Sequence, residues 1–108
     1  MINLEPFHVC GNVQILHKNY TVSEEDNLHN AKYELLGNIS YLAQEITLRS
    51  DASPADKRVT LLHEILHGVD DAWGLKLKER QVDMLAKALY QLLRDNGWRV
   101  CPMEGQSE

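Results

Sequence analysis

The distribution of hydrophobic residues divides the chain into two parts near residue 50. Before that point, apolar residues occur in short runs, some alternating with polar residues as in half-buried strands. From residue 54 onward they recur every three or four positions, which is the spacing of amphipathic helices. The pattern predicts an α+β fold in which a small antiparallel sheet precedes two packed helices.

The first predicted element is a β-hairpin. Residues 7–10 and 13–17 flank Gly11-Asn12, a pair that tolerates positive φ and suits a two-residue turn. Tyr20 and Val22 are predicted to extend the second of these strands.

Two further strands are predicted before the helices. The polar and acidic stretch at 23–30 indicates a loop or a short helical turn. Residues 35–41 and 45–49 follow as strands, and in the latter Ile46 and Leu48 alternate with polar residues. These strands complete the predicted sheet.

Capping residues set the bounds of the first predicted helix at 54–73. Ser53 can accept hydrogen bonds from first-turn amides, and Pro54 stands where its missing N–H has no consequence. Gly74 supplies a left-handed stop.

The second helix, predicted at 78–96, is amphipathic. One edge of its apolar face carries Glu79, Asp83 and Tyr90, so Glu79 is expected to point inward. The apolar face itself is predicted to consist of Val82, Leu85, Ala86, Leu89 and Leu93, with Arg80, Lys87 and Gln91 toward solvent.

Length and composition predict one globular domain. The chain has 108 residues, of which 44% are hydrophobic and 25% charged, which is enough for one hydrophobic core but not for two. We expect residues 1–97 to form this domain and residues 98–108 to be a C-terminal tail.

Charge and hydropathy exclude several classes of partner. The net charge is −5 and the basic residues form no run, which argues against direct nucleic-acid binding and against an anionic membrane surface. No apolar stretch is long enough to span a bilayer, and residues 1–7 lack the plan of a secretion signal. We therefore expect a cytoplasmic protein.

The two cysteines carry little functional information. Cys10 and Cys101 have no CxxC spacing, and two reduced thiols are favoured over a disulfide in a cytoplasmic protein. A metal site built from His8, Cys10 and Cys101 is disfavoured, because their spacing resembles no closed zinc knuckle.

Several candidate functional side chains lie in the first helix, in the segment HEILH at 63–67. Four residues advance an α-helix by about 400°, so His63 and His67 lie on one face and can bind a single ion. Zinc accepts such nitrogen donors, and a catalytic site keeps one position for water. Glu64 projects beside the pair, where it can take a proton from that water as a general base.

The second helix offers the remaining groups. Glu79 is the predicted third zinc ligand, although a solvated first-turn residue that favours the helix dipole is the competing interpretation. Asp83 is placed to accept the free N–H of His63 or His67, or else is a partly exposed helix residue. Tyr90 is a candidate donor to the reaction oxyanion.

These residues carry a family resemblance. HEILH at 63–67 followed by ERQVD at 79–83 is similar to the gluzincin pattern of HExxH and then ExxxD. With strands ahead of it and a leucine-rich helix behind, the chain resembles the ImmA/IrrE-type metallopeptidases of phages and mobile elements over about residues 35–96.

The resemblance implies a minimal zincin core that binds Zn²⁺ and hydrolyses peptide bonds. It further implies an edge strand beside the site, here residues 45–49, which binds an extended peptide by strand addition. The implied substrate is a peptide or protein, in this family a repressor-type transcription factor.

Two alternatives to a peptidase remain open. One is a regulatory module that binds a partner, with or without metal, and does not cleave it. The other is a purely structural zinc, whose removal would unfold the chain.

Overall fold

The computed structural model describes residues 11–26, 28 and 36–97, and within them it has four strands and two helices. The strands are β1 (Asn12–Ile15), β2 (Lys18–Glu25), β3 (Gly37–Ser40) and β4 (Glu45–Arg49), and the helices are α1 (Pro54–Trp73) and α2 (Glu79–Asp95). The predicted α+β fold is confirmed. The predicted strand at 7–10 and the tail at 98–108 lie outside the described residues.

The four strands form one mixed sheet in the order β1-β2-β4-β3. The outer pairs, β1 with β2 and β3 with β4, are antiparallel as predicted. The central pair, β2 with β4, is parallel, with Val22 opposite Ile46. Alternating polar and apolar residues indicate a strand but carry no information on its direction, which is why the sequence did not predict this pairing.

The predicted hairpin turn at Gly11-Asn12 is wrong. Asn12 is the first residue of β1, and the turn between β1 and β2 is at Leu16 and His17, with Leu16 at a φ of 56°. A glycine-asparagine pair permits a tight turn without requiring one.

The predicted loop at 23–30 begins too early. Its first residues belong to β2, which continues to Glu25 and pairs there with Arg49 of β4. Strand pairing uses backbone groups, so exposed polar side chains at the end of a strand do not prevent it.

The predicted edge strand at 45–49 is also wrong in position. β4 has the predicted bounds, but it lies between β2 and β3. Within the residues that the structure describes, β3 is the edge strand on that side of the sheet.

Helix α1 packs on the sheet and carries the site. Ser53 Oγ accepts a hydrogen bond from Asp56 N at 3.1 Å, and Gly74 ends the helix with a φ of 64°. The predicted bounds of this helix are confirmed. The hydrophobic core lies between sheet and helix and includes Ile15, Tyr20, Val22, Ile46, Leu48 and Leu61.

Helix α2 packs against α1 and buries a narrower stripe than predicted. Val82 and Ala86 are fully buried, as expected. Leu85 and Leu89 are 43% and 36% exposed, so their predicted place in the core is wrong. Among the described elements α2 has extensive contact with α1 alone, and one neighbouring helix covers only part of a wide apolar face.

Neither helix in the described ranges is long and apolar enough to cross a membrane.

Candidate metal centre

Helix α1 presents His63 and His67 to one point. Their Nε2 atoms are 3.2 Å apart, and the two rings meet edge to face with centroids 4.9 Å apart. Both side chains are partly buried, at 16% and 25% exposure. The i, i+4 spacing on one helical face produces this approach.

The first turn of α2 brings Glu79 to the same point. Its Oε2 lies 2.9 Å from His63 Nε2, and its Oε1 lies 2.9 Å from His67 Nε2. Gln81 helps to fix the start of α2, because its side-chain oxygen accepts a hydrogen bond from Lys78 N at 2.8 Å. The structure therefore unites the three residues that the sequence selected as metal ligands.

The geometry of these three groups fits a tetrahedral metal ion. Donor atoms about 2.0–2.2 Å from one ion, at tetrahedral angles, are about 3.3–3.6 Å apart. The distance of 3.2 Å between the two Nε2 atoms, and the 2.9 Å from each histidine to one oxygen of Glu79, are slightly shorter, so a small expansion would admit the ion. Of the described residues, only His63, His67 and Glu79 form a group that could hold a metal ion.

Glu64 lies between α1 and the sheet beside this centre and is 7% exposed. Burial, and secondarily the negative charge of Glu79, raises the pKa of Glu64 to about 7. A carboxylate with a pKa near neutrality is suited to accept and release protons.

Gly37 of β3 allows Glu64 and Thr60 to lie close to the sheet. A Cβ at position 37 would be 3.4 Å from Glu64 Oε2 and 3.3 Å from the carbonyl oxygen of Thr47, and closer to Thr60 Cγ2 than van der Waals contact allows. Because Thr60 is buried and β-branched, it has little freedom to move away. Gly37 therefore sets the distance between β3 and the helix that carries the site.

We expect Gly37→Ala to lower the free energy of unfolding by about 1–3 kcal/mol, the usual effect of overpacking. Urea unfolding of the metal-free protein measures this loss. Gly11→Ala is the matched control, because a Cβ there would have no atom of the described residues within 4 Å. Equal stability of the two variants would show that β3 and α1 separate freely.

The pKa of Glu64 predicts a pH-dependent stability of the metal-free protein. Its folded-state value of about 7 exceeds the ordinary 4.5, so between these values the folded state holds a proton that the unfolded state has released. This contribution is present at low pH and is lost as pH rises through about 7.

Glu64→Gln removes that titration. At pH 8 we expect the metal-free variant to be more stable than the wild type by up to about 3 kcal/mol, with the difference shrinking toward pH 4.5. Urea unfolding of both proteins across this range measures it. A difference independent of pH would mean that Glu64 titrates normally.

Asp83 lies near the centre without a direct hydrogen bond to it. Its Oδ1 is 3.7 Å from His63 Nδ1, while its Oδ2 pairs with Lys87 Nζ at 2.9 Å. His63 is thus the histidine that Asp83 approaches. The role of Asp83 in orienting the His63 ring remains a prediction.

Tyr90 packs against the hydrophobic core, with the Arg94 guanidinium 5.5 Å from the centre of its ring. It is not among the residues that line the cleft at the centre. Nothing in this placement supports its predicted role as a donor to the oxyanion.

Tyr41, which the sequence did not single out, contacts the helix that carries the two histidines. It directly follows β3, and its hydroxyl donates to the backbone oxygen of His67 at 3.4 Å. Burial, together with the nearby acidic groups Asp71, Glu64 and Asp70, raises its pKa. A polar aromatic residue at the end of a predicted strand was the available signal.

A cleft of about 400 Å³ opens beside the centre, between β3, α1 and α2. It is lined by Leu36, Gly37, Asp56, Val59, Thr60, His63, Glu64, Glu79, Asp83 and Lys87. The cleft joins the metal-ligand candidates to β3, the edge strand among the described residues.

The other histidines and cysteines are separate from this centre or lie outside the description. His17 is exposed in the turn between β1 and β2. His8, Cys10, His29 and Cys101 are outside the described residues.

In comparisons with known proteins, no family model, no curated protein and no solved structure matches the chain, so the interpretation of the centre depends on its own geometry.

Proposed function

We propose that the chain is a zinc-dependent metallopeptidase in which His63, His67 and Glu79 hold the metal. The observation that carries this proposal is the convergence of His63, His67 and Glu79, whose candidate donor atoms lie within 4.8 Å of one another, next to a buried glutamate. A structural zinc site closed by four protein ligands is less compatible with this arrangement, because the described residues supply three donors and leave a coordination position free.

Zinc bound there would act as a Lewis acid toward a peptide carbonyl and would acidify the water that it holds. Glu64 accepts a proton from the attacking water as the oxygen of that water bonds to the carbonyl carbon. When the C–N bond breaks, Glu64 gives the proton to the leaving amine.

The edge strand β3 supports a peptide as substrate. Leu36 O accepts from Arg49 N at 2.8 Å, and in an antiparallel ladder the residues that bond to the partner strand alternate with residues that do not. The N–H and C=O groups of Gly37 and Ile39 therefore face away from β4. An extended peptide can pair with them and lie along the cleft.

The resemblance to ImmA/IrrE-type peptidases extends the proposal to the substrate and the compartment. A repressor-type transcription factor in the cytoplasm is the protein substrate that it favours. The net charge of −5 agrees with a protein that contacts such a repressor rather than its DNA.

Chelator-sensitive proteolysis tests the proposal. The purified protein is loaded with one equivalent of zinc and incubated with casein, an unfolded substrate with many peptide bonds, with and without 1,10-phenanthroline. We expect new peptides by mass spectrometry only without the chelator, and their return when zinc is added back. Binding of substrates without any cleavage would instead favour a regulatory module.

A further inference from the structure

Among the carboxylates that line the cleft beside the metal centre, Asp56 alone has no role in the proposed metal site or in the proposed proton transfer. Asp56 lines the cleft at the first turn of α1, and its backbone N–H is the one capped by Ser53. Its side chain is exposed and forms no ion pair with the residues that the structure describes. By contrast, the Asp83 carboxylate in the same cleft is compensated by Lys87 at 2.9 Å.

Helical geometry aligns Asp56 with the metal ligands. Seven residues separate Asp56 from His63, which is about 10.5 Å along the axis and within about 20° of two full turns. Both therefore lie on the same face of α1. Val59 and Leu36 line the cleft with them, so an aliphatic stem would have apolar contacts on the way to the carboxylate.

A lysine or arginine side chain fits this distance. From a peptide carbonyl carbon at the metal, the following Cα is about 2.4 Å away, a basic side chain extends about 6 Å further, and the Asp56 side chain covers about 2.5 Å of the remainder. The sum of these lengths matches the separation along α1. The residue concerned is therefore one that flanks the scissile bond.

The direction of β3 determines on which side of the bond this residue stands. Gly37 lies beside Thr60 and Glu64, and Ile39 lies beside Gly68, so β3 runs in the same direction as α1. A peptide that pairs antiparallel to β3 runs the opposite way. Its C-terminal side then lies toward Leu36 and Asp56.

We propose that Asp56 makes this cleft selective for peptides with a lysine or arginine directly after the scissile bond. The inference rests on the proposed peptidase function for the position of that bond. Asp56 also favours the positive end of the α1 dipole, but this role predicts an effect on stability and none on substrate choice.

The test uses quenched fluorescent peptides that differ only in the residue after the scissile bond, which is lysine, norleucine or glutamate. Norleucine matches the lysine stem without its charge. At low salt we expect kcat/KM for lysine to exceed that for norleucine about 3–5-fold, as for an exposed ion pair. Asp56→Asn should abolish this preference, and Asp56→Lys should reverse it toward glutamate. Asp71→Asn, which removes an exposed carboxylate of α1 outside the cleft, should leave it unchanged.

Peptide binding provides a second readout. Fluorescence anisotropy with zinc-loaded Glu64→Gln protein measures Kd for the same peptides without turnover, and the lysine preference should appear there too.

Cleavage at equal rates for all three peptides, or a preference only for residues before the bond, would overturn this inference and leave the peptidase proposal intact. Failure to cleave any peptide or casein would overturn the peptidase proposal itself. In that case, loss of the lysine preference in Asp56→Asn binding still decides whether Asp56 selects basic peptides.

Discussion

Replacing Glu64 with glutamine is expected to leave zinc bound and to lower kcat for peptide hydrolysis by about 10²–10⁴-fold, the range attributable to a positioned general base. Glutamine keeps the volume and a polar end at this buried position, but it cannot accept the proton of the attacking water. KM should change little, since Glu64 is proposed to act on the attacking water and not to hold the metal. Steady-state cleavage of a quenched peptide, together with zinc content by mass spectrometry, measures both quantities.

Glu45→Gln is the matched control for this experiment, because Glu45 is an exposed glutamate at the start of β4. The same substitution there should leave kcat unchanged. If Glu64→Gln retained zinc and full activity, the proposed proton transfer would be wrong. A zinc-free Glu64→Gln protein would instead identify Glu64 as a ligand.

The second large effect is expected on zinc affinity. Loss of an outer-shell partner typically weakens metal binding 10–100-fold, so loss of a direct ligand by Glu79→Ala should weaken it more than 100-fold. Glu79 lies 2.9 Å from both histidines and its side chain is 69% exposed, so its removal leaves no buried cavity. Competition with a chromophoric zinc chelator measures the affinity.

A measurement of stability distinguishes a role of Glu79 as a zinc ligand from a role in which it only favours the α2 dipole. If Glu79 only favours the α2 dipole, Glu79→Ala lowers the stability of the metal-free protein by about 0.3–1 kcal/mol and leaves zinc affinity intact. If Glu79 is a ligand, the increase in Tm that zinc produces in the wild type is strongly reduced in the variant. Asp83→Ala, one turn along the same helix, is the comparison. This variant should weaken zinc binding by no more than about 10–100-fold.

Local sequence signals predicted the helices and most of the arrangement of the candidate ligands. Ser53 and Gly74 gave the bounds of α1, because capping depends on nearby backbone groups alone. The pairing of His63 with His67 follows from helical spacing. The position of Glu79 required a further assumption, that α2 folds back on α1 with its apolar face inward.

Features that depend on long-range pairing were not predictable in the same way. The parallel pairing of β2 with β4 and the edge position of β3 are properties of chain topology, which alternation of polar residues does not encode. Leu85 and Leu89 satisfy the helical pattern and still face outward, because the described neighbours cover only part of α2. The close approach at Gly37 depends on Thr60, 23 positions away in the sequence.

We propose that two imidazoles and one carboxylate bind a single zinc ion and leave a position for solvent. Zinc X-ray absorption spectroscopy on the stoichiometrically loaded protein tests it most directly. We expect a shell of nitrogen and oxygen donors at about 2.0–2.2 Å, with two imidazoles, no sulfur, and loss of one imidazole in His63→Ala. A shell containing sulfur at about 2.3 Å, or one unchanged by His63→Ala, would place the metal elsewhere and contradict the claim.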